Sequence, residues 1–99
     1  MKVQMHSLKF TADQKLIDFI QKKMDKLETF FDRIIDGEVY MRVEKDNENG
    51  NKSIEILLNI PGNQLFSKEQ APSFEAAADL AVEALRRQLK KYKEKMIAR

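Results

Sequence analysis

Apolar positions along the chain switch between a period of two and a period near 3.6, and the switches predict six elements. Over residues 2–10, Val3 and Met5 face one way and Lys2, Gln4 and His6 the other, which predicts a strand. Leu16, Ile17, Ile20, Met24, Leu27, Phe30 and Phe31 then recur at helical spacing. They predict a helix over 12–32 with Thr11 as its cap and Asp13 in its first turn. Asp36-Gly37 breaks that pattern. Val39, Met41 and Val43 alternate with Tyr40, Arg42 and Glu44, a second strand. Asn49-Gly50, inside a polar stretch, is a strong hairpin signal. Ile54, Ile56, Leu58 and Ile60 alternate with polar neighbours in a third strand, and Pro61-Gly62 supplies a turn. A weaker alternation over about 63–69 predicts a fourth strand. Pro72 and Ser73 open a last helix with an apolar stripe of Phe74, Ala78, Ala81, Leu85, Leu89, Tyr92 and Met96.

The order β-α-β-β-β-α predicts an α+β, two-layer sandwich, with a four-stranded sheet and both helices packed on one face. The first two strands, joined by a helical crossover, are expected to be parallel where they pair. With 99 residues and no internal repeat or linker, the chain reads as one domain over 1–99.

Composition narrows the function mainly by exclusion. At 42% hydrophobic and 34% charged, the chain is too apolar for a disordered protein and too charged for a membrane protein. No run of about 18 apolar residues exists and residues 1–10 lack the apolar block of a secretion signal, so a cytoplasmic location is expected. Without cysteine there is no disulfide, thiolate metal site or thiol nucleophile. His6 is the single histidine, and the three glycines (Gly37, Gly50 and Gly62) all fall at predicted turns rather than in a phosphate-cradling loop. Asp46, Glu48 and Asn49 before Gly50 faintly resemble a calcium loop, but Lys45 stands where the first ligand belongs. No enzyme activity, metal, cofactor, membrane or small-molecule substrate is expected.

The net charge of +2 hides an asymmetry. From Arg86 to the end there are seven basic residues (Arg86, Arg87, Lys90, Lys91, Lys93, Lys95 and Arg99) against the single acid Glu94, a net +6; residues 1–85 hold 11 basic against 15 acidic residues, a net −4. At about 100° per residue, Arg86, Lys90 and Lys93 fall along one flank of the last helix. Arg87 and Lys91 lie on its far side and Lys95 on the opposite flank. The bland reading is a solvated helix end whose cations suit the dipole. Against it stand the scarcity of interleaved acids, a second patch of Lys22, Lys23 and Lys26 on the first helix, and the fit of a helical basic rail to an A-form backbone, which is read by shape and phosphate. The aromatic residues Phe30, Phe31, Phe66, Phe74 and Tyr92 are read as core or core-edge, and Tyr40 as an exposed cross-strand aromatic.

The stretch Leu85-Arg86-Arg87-Gln88-Leu89-Lys90-Lys91-Tyr92-Lys93-Glu94-Lys95 resembles the closing signature of the ribosome hibernation-promoting factors. These are also called ribosome-associated translation inhibitors, and some members carry a sigma-factor modulation label. The segment from Lys22 to Phe31, followed by Ile34, is similar to the family's first helix, and the Ile60-Pro61-Gly62 turn fits as well. Ser73 and Glu75 depart from the pattern by replacing an Asp and a Tyr, and Arg86 stands where an acid is common. The resemblance implies binding to the small ribosomal subunit in the rRNA-lined channel of mRNA and tRNA, with translation blocked by occupancy. It assigns rRNA contacts to Arg87, Lys90, Lys91, Lys93 and Lys95, and to Lys23 with Lys22 and Lys26 beside it; the bare charge pattern adds Arg86. Ending at Arg99, the sequence is expected to be of the family's short type. A protein-interaction modulator of a transcription factor is the alternative.

Overall fold

The computed structural model describes residues 1–45 and 50–97. Six elements follow in the expected order: β1 (Lys2–Leu8), α1 (Gln14–Phe30), β2 (Asp36–Val43), β3 (Lys52–Ile60), β4 (Asn63–Ala71) and α2 (Phe74–Ile97). The strands lie side by side as β1-β2-β3-β4. The β1–β2 pair is parallel, as the helical crossover requires, and the other two pairs are antiparallel. Both helices cover one face of the sheet. There α2 packs on β3 and β4, and α1 packs against α2 and toward β1.

The inward alternation of the strands carries the core. Val39, Met41, Ile54, Ile56, Leu58 and Ile60 are buried beneath Leu16, Ile20, Met24 and Leu27 of α1 and beneath α2. In its first half α2 presents Ala77, Ala78 and Ala81 to the sheet, which lets its backbone approach closely. Leu85 and Leu89 follow on the same face and are fully buried. Burying one such leucine is worth about 1.5–3 kcal/mol, so the rigid base of the cationic end is built from these two side chains.

Several local boundaries differ from the expected ones. Asp13, not Thr11, caps α1: its carboxylate accepts the Leu16 N–H at 2.8 Å. The helix ends at Phe30, and Phe31 leaves it in an extended conformation while its N–H still reaches the Leu27 carbonyl at 2.8 Å. Asp36 and Gly37 open β2 instead of separating it from α1. Gly37 is buried against α1, and a Cβ there would sit 2.9 Å from the Met24 methyl group, which accounts for a glycine inside a strand. β1 stops at Leu8, and Phe10 beyond it stacks on Phe74 at 4.9 Å. β4 runs on to Ala71. Phe66, expected at the core or its edge, lies on the face without helices and is 50% exposed. The expected Asn49-Gly50 hairpin and the stretch compared with a calcium loop include residues 46–49, which lie outside the described residues, as does Arg99. Gly50 has φ +85° and Gly62 has φ +74°, the conformation glycine adopts at least cost.

The face without helices is ordered by cross-strand pairs. His6 and Tyr40, opposite each other in the β1–β2 register, stack at 4.5 Å as a cross-strand pair, and Tyr40, expected to be exposed, is half-buried by that stacking. Glu55, next in that row, lies 3.9 Å from Arg42 and 3.5 Å from Lys68. His6 therefore serves as an aromatic neighbour, and among the described residues no group of His, Asp or Glu is arranged to hold a metal.

Candidate nucleic-acid interface

The cationic half of α2 is positioned by what lies under it. Leu85 and Leu89 seat the helix on the sheet, and Tyr92 pins its end twice. The Tyr92 ring meets Phe31 edge to face at 5.7 Å, and its hydroxyl donates to the Pro61 carbonyl at 3.1 Å. On the β4 side the Gln88 amide donates to the Phe66 carbonyl at 2.8 Å. The helix is thus held from both flanks, and its cations sit at fixed stations.

The α1-facing flank of α2 carries Arg86, Lys90 and Lys93 by the roughly 100° step. Across from them stands the end of α1. Arg86, Arg87 and Lys90 share a depression of about 310 Å³ with Phe30 and Glu83. A longer groove of about 700 Å³ runs between the helices, with Lys23, Lys26 and Arg86 on its walls and Leu27, Val82 and Phe30 along its floor. Six of the nine expected contact residues (Lys23, Lys26, Arg86, Arg87, Lys90 and Lys93) therefore gather around the seam between the helices. The other three do not join them. Lys22 is exposed on the outer side of α1, and Lys91 and Lys95 are exposed toward the flank that carries Gln88.

Two of the six are already engaged. The Lys23 ammonium lies 2.8 Å from the Asp79 carboxylate across the groove. Among the described residues it is the one expected contact residue in an ion pair. The half-buried Lys93 donates to the Phe30 carbonyl at 3.0 Å and lies 4.6 Å from the centre of the Phe30 ring. α1 has no basic residue in its own last turn, so Lys93 supplies from α2 the positive charge that a helix C-terminus favours. Arg86, Arg87, Lys90, Lys91 and Lys95 remain exposed, as do Lys22 and Lys26.

Phe30 is the residue that sequence reasoning missed. Read as core or core-edge, it is partly buried at the edge of the core, but two cations also approach its ring: Lys93 at 4.6 Å and Arg86 at 5.3 Å. The signal was present in the Phe30-Phe31 pair, because bulky neighbours about 100° apart on a helix point in different directions. Phe31 is the buried member.

The family described as sigma 54 modulation protein / S30EA ribosomal protein matches residues 3–97. The chain belongs to that family. Among S30EA relatives, it is 34% identical over 95 residues to the ribosome hibernation promoting factor of Pseudomonas putida, covering 96% of this chain and 89% of that protein. The factor of the same name from Azotobacter vinelandii is 34% identical over 99 residues, covering 100% and 89%, and that of Escherichia coli K12 is 31% identical over 83 residues, covering 84% and 83%. The S30EA fold recurs in a ribosomal subunit interface protein from Coxiella burnetii, with a TM-score of 0.85, 21% identity and coverage of 95% and 99%. It recurs also in the Thermus thermophilus Protein Y N-terminal domain, with a TM-score of 0.81, 22% identity and coverage of 93% and 99%. No helix among the described residues is long and apolar enough to cross a membrane.

Proposed function

We propose that this protein promotes ribosome hibernation by binding the small ribosomal subunit through the cationic seam of α1 and α2. Docked in the rRNA-lined channel of mRNA and tRNA, it inhibits translation by occupancy, as a cytoplasmic factor with no catalytic step. The observation that carries this reading is the set of exposed cations at one end of the helix layer, on a support rigid enough to hold them in register. Such a rail fits phosphates along an A-form backbone, where the base edges of the deep groove are out of reach. The names of the 31–34% identical relatives support the ribosomal partner.

If about six phosphates are neutralised, binding falls with salt at a log–log slope of about −4 to −5. The decisive experiment is co-sedimentation of small subunits with wild-type protein and with the triple variant Arg87→Glu, Lys90→Glu, Lys91→Glu. Lys93 is left intact because it braces α1. The variant should stay folded and remain in the supernatant; undiminished co-sedimentation rejects the assigned surface. The other reading, a modulator of a sigma factor, takes its support from the family description. Capture that survives ribonuclease would favour it.

A further inference from the structure

We propose that Phe30 is a positioning residue for RNA binding: its ring holds Arg86 in place without neutralising it. The inference rests on the RNA-binding reading above. An arginine beside a phosphate site needs to be ordered before the phosphate arrives, because each rotamer-rich side chain fixed on binding weakens the complex. A carboxylate orders an arginine but occupies its donors and cancels its charge. A phenyl ring attracts the guanidinium through its face and accepts none of the five N–H groups in conventional hydrogen bonds. Arg86 lies 5.3 Å from the Phe30 ring centre and, among the described residues, has no ion pair.

The ring is itself fixed. Phe30 is the last residue of α1, and its carbonyl receives the Lys93 ammonium at 3.0 Å. Its neighbour Phe31 is buried in the core and locked edge to face on Tyr92 at 5.7 Å. The backbone on which the ring is mounted is therefore tied to α2 on both sides of the Phe30–Phe31 peptide. Arg86, Lys90 and Arg87 border the same depression with Glu83, so a guanidinium parked on the ring shares it with two further cations and one acid.

A double-mutant cycle on small-subunit binding tests this. Phe30→Leu should weaken binding about three- to tenfold, the worth of ordering one long side chain, while the salt slope stays at the wild-type value. Phe30→Tyr should restore affinity. Arg86→Ala should weaken binding and reduce the slope by about one. Adding Phe30→Leu to Arg86→Ala should change affinity by less than about twofold, because the other cation on the ring, Lys93, is also held by the Phe30 backbone carbonyl, which the substitution keeps. Losses that multiply, or a Phe30→Leu variant that binds like wild type, overturn the proposal.

A measurement on the wild type is independent of any variant's folding. Nitrogen-15 relaxation of the Arg86 side-chain N–H in the free protein should show order comparable to Arg42, which Glu55 holds. Motion as free as that of Arg87 overturns the proposal. Should the wild-type protein fail to bind subunits, the RNA reading falls instead, and the relaxation result tells the two failures apart.

Discussion

Arg42 and Arg86 sit on opposite sides of the sandwich, and the contrast between their surroundings separates a cation paired with a carboxylate of the fold from one that lies on an aromatic ring. On the open sheet face, Glu55 stands between Arg42 and Lys68 at 3.9 and 3.5 Å, and Tyr40 donates to Glu38 at 2.8 Å. There Glu55 answers two cations within the fold. At the seam between the helices Asp79 pairs Lys23, but Arg86 lies over the Phe30 ring and, among the described residues, has no ion pair, while Arg87, Lys90 and Lys91 stay exposed. Both faces contain cations. What distinguishes them is how many of those cations the molecule has paired, and density of basic residues alone would not reveal that.

The largest expected effect breaks this contrast directly. The reversal Arg87→Glu, Lys90→Glu, Lys91→Glu should lower affinity for small subunits at least about a hundredfold, by removing phosphate partners and adding repulsion. Its counterpart on the sheet, Arg42→Gln with Lys68→Gln, should change affinity by less than about twofold. Sedimentation at matched salt measures both, and equal losses would erase the distinction between the faces.

Within α2 the same contrast recurs three residues apart. Lys93→Met should destabilise the domain by about 1–2 kcal/mol, through loss of a charged hydrogen bond at the end of α1, whereas Lys90→Met should stay within about 0.5 kcal/mol. Urea unfolding of the two variants decides it. A smaller effect is expected from Asp79→Asn, which removes the one carboxylate that, among the described residues, is bound to an expected contact lysine, and frees Lys23. An exposed pair of this kind contributes little to stability, so Tm should barely move, while affinity for subunits should rise about two- to threefold.

How far the sequence reveals these features depends on distance along the chain. The strand at Ile54–Ile60 is legible because every second residue is apolar and the buried face is continuous. β4 is harder to read. It is an edge strand whose inward positions include Ser67 and Glu69, and its largest apolar side chain, Phe66, points away from the core. Both helix stripes follow from spacing, and so does the placement of Arg86, Lys90 and Lys93 on one flank. The occupation of Lys93 does not follow from spacing, because its acceptor is a backbone carbonyl 63 residues away. The Lys23–Asp79 pair joins two helices in the same way. Periodicity shows which face a residue occupies; only the packing of one element on another shows which charges remain free.

The smallest effect expected here belongs to Tyr40, and it tests the open sheet face from within. The Tyr40 phenol is held above its ordinary pKa, first by its hydrogen bond to the Glu38 carboxylate, then by desolvation and by the negative charges of Glu38 and Glu55. A group that releases its proton less readily in the fold than in the unfolded chain favours folding while protonated. Its contribution is therefore complete below the ordinary phenol pKa of about 10 and drains away as pH climbs through the raised value. Tyr40→Phe removes the hydroxyl and with it this alkaline loss, so the stability gap between wild type and variant should be constant from about pH 6 to 9 and shrink above about pH 10. Denaturant midpoints across that range measure the gap. Binding to small subunits near neutral pH should not change, because Tyr40 and its partners lie on the face opposite the helices. A Tyr40→Phe variant that folds normally and yet loses subunit binding would place the sheet inside the interface and undo the division between the two faces.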